Sequence, residues 1–457
     1  MLGMKIKSVN PATLETNGEF DEFDRSTLER ICADVGTAAE KWGALHVSDR
    51  ASMMLRLSAT LHANKDKYAS LITAEMGKPI GESVSEVEKC AWMAEVYASN
   101  AEKWLHDEDV KTEARKTIVS FEPLGTVLAV MPWNFPFWQA LRCAVPAMCA
   151  GNAVILRHSN SVPMCAMAIE ESFEAAGFPK DVFRTVIADH TAVKRMISSK
   201  YINGVSVTGS IDAGREIAKA AARSIKKCVL ELGGSDPFIV LDDADMQLAC
   251  EKARDGRNIS SGQSCIAAKR FIVVRKASEE FTEGLVRLTK AVKVGDPKSK
   301  DTEVGPLANS QQLEKLESQV GEAVSKGAKA ECGGRRIDGK GYFYEPTVLT
   351  NVKKTMRVAK EEVFGPVSTI IIARNEDDAV RIANSTRYGL GASVWTKDSD
   401  KGEKIARRLQ AGLVYVNGIV KSDPRIPFGG VKESGIGREL SRYGLLEFTN
   451  IKPIVIA

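Results

Sequence analysis

Histidine is scarce in this chain. Its 457 residues include five, His46, His62, His106, His158 and His190, and none stands at metal-ligand spacing from another or from a cysteine. A zinc or Cys-His-ligated metal is therefore not expected, and the chemistry should run without one. CxxC pairs are missing too: the nine cysteines, at positions 32, 90, 143, 149, 165, 228, 250, 265 and 332, form no disulfide framework. An odd number cannot pair completely, and a reducing compartment fits that pattern. Charge excess is small, with 63 basic against 59 acidic residues and a net +4. With no Lys/Arg block, neither nucleic acid nor an anionic membrane surface is an expected partner, although a small anionic substrate suits the mild basicity. Long apolar runs are also lacking: the start MLGMKIKSVN has no apolar core, and the stretch Ala140 to Leu156 is interrupted by Arg142, Pro146 and Asn152. A soluble cytoplasmic protein is expected.

What is present is length and alternation. A chain of 457 residues exceeds what one hydrophobic core sustains, so two or three domains are expected. From Ser26 to about Leu105 apolar residues recur at helical spacing, as in Leu55, Leu57 and Leu61. Two β-rich runs, TIVSFEPLG and TVLAVMPW, follow. Then NAVIL, FRTVI, GVSVTGS and CVLEL alternate with helices predicted near 163–177, 190–199 and 212–224. A second alternation runs through PFIVL, RFIVV, VSTIII, ASVWT and LVYVN, with helices predicted near 276–292, 309–327, 374–386 and 398–411. The fold class is α/β, two domains each built on a parallel-type sheet. No linker or repeat separates them, so the crossing is expected near Gly233-Gly234. Residues 108–122 and the final NIKPIVIA fit neither alternation and are expected to be strands that pair with another subunit's sheet edge.

Three motifs carry chemistry. Ser261-Gly262-Gln263-Ser264-Cys265 lies in a loop before the strand RFIVV, and loops on rigid scaffolds often hold reactive groups. Taken alone, Cys265 is as readily a small buried hydrophobe. Val229-Leu230-Glu231-Leu232-Gly233-Gly234 places a carboxylate at a strand's carboxyl end, where open α/β sheets bind ligands and where an apolar setting raises a carboxyl pKa toward that of a general base. A Glu pointing to solvent is the plainer reading. Pro132-Trp133-Asn134-Phe135-Pro136 sets one amide between two aromatics. Asn134 is then either a donor awaiting an oxyanion or a helix cap.

Together, and in this order, these motifs resemble the aldehyde dehydrogenase superfamily over essentially the whole chain. Further matches are Thr208-Gly209-Ser210 with Gly214, Glu361-Glu362-Val363-Phe364-Gly365-Pro366, and Pro427-Phe428-Gly429-Gly430-Val431-Lys432-Glu433-Ser434-Gly435. The resemblance implies NAD(P)-dependent oxidation of an aldehyde to an acid. Cys265 would attack the aldehyde, Asn134 and the Cys265 N–H would hold the oxyanion, and Glu231 would activate the water that hydrolyses the thioester. It implies a nucleotide-binding domain over 1–107 and 124–233, a catalytic domain over 234–433, and oligomerisation strands over 108–123 and 440–457 in a homodimer or homotetramer. No GxGxxG follows the first strand. The family instead uses Gly209, Ser210 and Gly214 at a helix start for the pyrophosphate, Glu362 for the nicotinamide ribose, and Phe364 and Trp133 beside the ring.

Two departures carry specificity. Where most members have Lys-Pro-x-Glu for the adenosine ribose, this chain has Arg157-His158-Ser159-Asn160. Loss of that glutamate removes repulsion of a 2′-phosphate, and Arg157 can bind one, with Ser159 and Asn160 beside it; NADP is expected to be at least tolerated alongside NAD. Eight positions beyond Asn134, in the family's substrate tunnel, stands Arg142. An arginine in an apolar segment suggests a substrate ending in a carboxylate, as in the compact succinate-semialdehyde dehydrogenases, which the chain also resembles in its short N-terminus and its tail. Its alternative is an ion pair within the chain. Trp138 and Phe428 would form apolar walls, and Ser422 and Arg425 polar contacts. A second arginine found in some of those enzymes is Ile259 here, with Arg257 displaced by two. Glyceraldehyde, lactaldehyde or an aliphatic aldehyde remain alternative substrates. Other readings are transfer of the thioester to coenzyme A, and a cysteine hydrolase or acyltransferase.

Overall fold

Ala153–His158 is buried along its whole length, as are Gly204–Thr208, Asp236–Val240 and Ala268–Val274. Strands covered on both faces belong inside parallel sheets clad by helices. The computed structural model describes residues 5–457, so the first four residues of the expected nucleotide-binding segment lie outside it. One sheet has six strands in the order Gly435–Ile436, Lys227–Glu231, Gly204–Thr208, Thr126–Met131, Ala153–His158, Phe183–Val186. All are parallel except the Gly435–Ile436 edge. The chain leaves Thr126–Met131 toward one edge and returns on its other side at Gly204–Thr208. This switch in direction opens a crevice at the strands' carboxyl ends.

A seven-stranded sheet forms the second unit, in the order Lys329–Cys332, Thr347–Thr350, Val367–Ala373, Ala268–Val274, Asp236–Val240, Gly391–Trp395, Leu413–Val416. Helices begin where an acidic, amide or hydroxyl side chain accepts a first-turn N–H: Asp24, Asp189, Ser210, Asp245, Asn309, Asn375 and Asp398 all do so. The N-terminal helical region resolves into Arg25–Gly43, Val47–Ala63, Lys65–Met76 and Ile80–Leu105.

Some features depart from the sequence reading. The hairpin of Lys5–Val9 with Thr16–Asp21 was unanticipated, because TNGEFD lacks β-branched alternation and is defined by its backbone partner. Lys329–Cys332 and Thr347–Thr350 are too short to show a period. The two segments outside the alternations pair with each other: Thr449–Ile456 runs antiparallel to Lys116–Pro123, with Glu108–Asp109 on its far side. Thr449–Ile456 is left as an edge strand exposing Ile451, Val455 and Ile456.

Candidate active site

The crevice at the switch point is lined by Trp133 and Asn134 after one strand and by Thr208, Gly209 and Ser210 after the other. From the second unit come Cys265, Glu362 and Phe364. A second cavity lies beyond, lined by Trp138, Arg142, Ile259, Ser422 and Phe428 together with Lys89. Cys265 and Gln139 line both. The thiol therefore stands where a cleft of about 170 Å³ and a second cavity of about 190 Å³ meet.

Its loop is tightly held. Ser260 (φ 54°), Ser261 (φ 54°) and Gly262 (φ 74°) are successive left-handed residues, and a Cβ on Gly262 would stand 2.3 Å from the Gly365 carbonyl carbon. Such strain persists only where surroundings impose it. Here the Ser260 N–H donates to Glu82 Oε2 at 2.6 Å, Arg257 Nη2 to the Gly262 carbonyl at 2.6 Å, and Lys269 Nζ to the Ser264 and Cys265 carbonyls at 2.9 and 2.6 Å. Burial pushes the Cys265 thiol up to about 12, against the pull of the Arg142 and Lys269 charges. Desolvation outweighs both cations, so this environment favours the thiol over the thiolate.

Asn134 is buried and donates one amide N–H to the Gln263 carbonyl at 3.0 Å. Its other N–H remains available beside Cys265. It does not cap the following helix, Pro136–Cys149, for which there is no side-chain cap at the N-cap residue. That helix is buried throughout, and its first N–H groups, of Phe137 and Trp138, are met by Glu86 Oε1 at 2.9 and 3.0 Å. Glu86 in turn pairs with buried Lys78, whose ammonium sits 3.5 Å from the Phe135 ring centroid.

Glu231 ends its strand as expected, but its carboxylate lines neither cavity. Both of its oxygens are buried without a hydrogen-bond partner. Burial and then neighbouring Glu439 push its pKa well up, while Arg142 and Arg438 pull it down. Cys265 and Glu231 thus do not face one cavity here, in contrast to the sequence expectation; the strand's pleat directs the Glu231 side chain toward Gly429.

Of the expected cofactor residues, Trp133, Gly209, Ser210, Glu362 and Phe364 share the cleft, and the Trp133 and Phe364 rings meet edge-on at 5.7 Å. The Gly209 N–H is not free for a phosphate, because it donates to the Glu231 carbonyl at 3.0 Å in the sheet ladder. Ser210 caps the helix Ile211–Arg223. The N–H groups of Ile211 and Asp212 and the Ser210 hydroxyl proton are what that helix start offers an anion. Gly214 is a packing position, where a Cβ would stand 2.5 Å from Leu232 Cδ2. Arg157, Ser159 and Asn160 lie outside the cleft lining. Arg157 is buried, donating to the Ala188 carbonyl at 2.9 Å and to Asn160 Oδ1 at 3.2 Å, which leaves Nη1 uncommitted. The donor set fits a dinucleotide: Glu362 Oε1 accepts the Gly234 N–H at 3.0 Å, and Oε2 has no partner among the described residues. Gly233 admits this approach, since a Cβ there would fall 2.4 Å from Glu362 Oε2.

On the substrate side, Arg142 is not a free cation. Its Nε pairs with Glu439, both side chains at most 5% exposed, and its guanidinium stacks 4.5 Å from the Phe428 ring centroid. The intrachain alternative is thus the arrangement observed. Arg425 pairs with Asp423 and does not line the cavity, and Arg257 faces the nucleophile loop while Ile259 lines the cavity. Among the described residues no group of His, Cys, Asp and Glu could hold a metal, and no helix is long and apolar enough to cross a membrane.

The sequence profile of the aldehyde dehydrogenase family matches residues 3–454. The chain belongs to the aldehyde dehydrogenase family. A Synechocystis protein named "probable succinate-semialdehyde dehydrogenase" of NADP(+) is 44% identical over 99% of this chain and 100% of its own. The Escherichia coli succinate semialdehyde dehydrogenase of NAD(P)+ is 41% identical over 98% and 97%. The crystal structure of succinic semialdehyde dehydrogenase from Streptococcus pyogenes with NADP+ superposes with a TM-score of 0.97 at 33% identity, covering 99% of both chains. As an aldehyde dehydrogenase, this protein oxidises an aldehyde to a carboxylic acid with NAD(P). The residues missed by sequence reading, Lys89, Glu82, Glu86, Gln139 and Lys269, come from helices and a strand whose motifs have no local signature; only the i, i+4 row of Glu82 and Glu86 hinted at a shared face.

Proposed function

We propose that the protein oxidises succinate semialdehyde to succinate, with NADP accepted alongside NAD. The observation that carries the reading is Cys265 at the junction of the two cavities, one lined by residues that fit a dinucleotide and the other walled by Trp138 and Phe428 with Lys89 among its lining. The names of the relatives support the substrate, as does the basic character lent to the second cavity by Lys89 and Lys421.

Cys265 adds to the aldehyde carbon, and its S–H proton is released to solvent through the open cleft as the carbon–sulfur bond forms. The free Asn134 N–H and the Cys265 N–H receive the oxyanion. Trp133 and Phe364 would hold the nicotinamide and Glu362 its ribose, and the cofactor would supply the hydride acceptor through which the adduct on Cys265 becomes a thioester. Glu231 then takes a proton from the water that attacks this thioester. To do so it turns into the cleft, and because neither oxygen holds a hydrogen bond, no bond is broken when it turns. Retention of Glu231 favours water over coenzyme A as acceptor.

A base works only deprotonated, and Glu231 has its pKa raised, so below that raised pKa it is protonated and idle. We expect kcat to rise with pH along an acid limb lying well above the ordinary carboxylate range, and Glu231→Gln to abolish that limb. A limb near the ordinary carboxylate value in the pH–rate profile would contradict this role.

Initial rates with succinate semialdehyde, butanal, glyceraldehyde and lactaldehyde, each with both cofactors, test the function. Succinate semialdehyde is expected to lead butanal by about 10- to 100-fold in kcat/KM, with NADP at least matching NAD. Preference for an uncharged aldehyde, or a strong NAD preference at equal concentration, would contradict it. The edge strand Thr449–Ile456 supports self-association as a homodimer or homotetramer, and nine free thiols support a cytoplasmic setting.

A further inference from the structure

The second cavity, beyond the cleft, is lined by two cationic side chains of different standing, one buried and one half-buried. Arg142 is neutralised by Glu439 in a buried pair. Lys89, on the helix Ile80–Leu105, has no carboxylate within 4.0 Å among the described residues. Its ammonium donates to Ser422 Oγ at 2.7 Å and lies 4.3 Å from the Trp138 ring centroid. The cavity's own carboxylates are occupied elsewhere: Glu86 by Lys78 and two helix N–H groups, Glu82 by the Ser260 N–H, and nearby Asp423 by Arg425. Lys421 is exposed at the rim.

We propose that Lys89, with the Ser422 hydroxyl it orients, is the anchor for the distal carboxylate of the substrate, and that Arg142 serves as a fixed wall of the cavity. The inference rests on the carboxylate-bearing substrate proposed above. Ser422 accepts from Lys89, so its own proton is directed away from the ammonium and is free to donate. Lys89 keeps two further N–H donors. One carboxylate can therefore take a charge-assisted bond from Lys89 and a second bond from Ser422, the two-point geometry that sets an acid-bearing aldehyde apart from a neutral one of equal length. Burial, with Arg142 nearby, pulls the Lys89 pKa down to about 8, as fits a desolvated cation with no anion paired to it. A bound carboxylate supplies that missing charge. The Trp138 face keeps the ammonium in place without neutralising it.

The test compares Lys89→Met and Lys89→Arg with the unchanged enzyme on succinate semialdehyde and butanal, with succinate as a competitive inhibitor. In Lys89→Met the ratio of kcat/KM for the semialdehyde to that for butanal is expected to fall by about 10- to 100-fold. The loss should reside in KM, succinate inhibition should weaken in parallel, and Lys89→Arg should recover part of it. A folded Lys89→Met that retains the ratio overturns this inference while leaving the substrate reading intact. An unchanged enzyme that handles butanal as well as the semialdehyde overturns both.

Discussion

Cys265→Ala is expected to lower aldehyde oxidation by on the order of 10⁴-fold or more while dinucleotide binding survives. The size follows from the chemistry. Every later step depends on the covalent bond to sulfur, and no other thiol or hydroxyl stands at the meeting of both cavities with an amide donor beside it. Survival of binding follows from the cleft's construction, most of whose lining comes from residues 132–134, 208–210, Glu362 and Phe364, with the thiol as one contributor among them. Steady-state rates and a fluorescence titration with NADPH, measured on one preparation, separate the two. Activity within tenfold of the unchanged enzyme would contradict the assignment of the nucleophile. A serine in its place is no substitute, since the same burial that raises the thiol disfavours an alkoxide still more.

The second large effect concerns folding. Arg142 and Glu439 form a buried pair, and Glu439→Ala would leave the buried guanidinium without its ion-pair partner, with Thr208 Oγ1 at 3.5 Å and the Phe428 ring as its remaining contacts. A loss of about 3–5 kcal/mol is expected, with a similar loss for Arg142→Ala. Replacing both residues by leucine and methionine should cost much less than the sum, because the penalty in each single variant is the stranded partner. Denaturant melts of the singles and the double give the coupling directly. Additive losses would show that the pair is not a structural unit, and would restore Arg142 as a cation free to meet substrate.

The family was legible in the chain, because Cys265 and Asn134 each sit in a short motif whose order along the chain identifies it. The parallel sheets were legible from the alternation of apolar strands and helices. What the sequence withheld is long-range. Nothing near Arg142 announces that Glu439, almost 300 positions later, will neutralise it. Nothing in the segment around Lys89 tells which face of a 26-residue helix will meet the cavity. Gly209 was read as a phosphate donor because a strand–turn–helix usually frees that N–H, whereas here the sheet extends one step further and engages it. Glu231 was placed correctly on its strand but not in direction, since a side chain's final turn depends on its neighbours rather than on its own segment. The anchor for a carboxylate was sought in the arginine, and a lysine with no acid beside it is the better candidate.

The central claim is a division of labour in which Cys265 forms the thioester and Glu231 clears it. The most direct test is a rapid-mixing experiment on Glu231→Gln with aldehyde and cofactor in excess, followed by mass analysis of the quenched protein. The account predicts a burst of reduced cofactor approaching one equivalent per subunit, then a slow steady rate, with the acyl group of the substrate on Cys265. Linear turnover without a burst, or an adduct on any other cysteine, would contradict it.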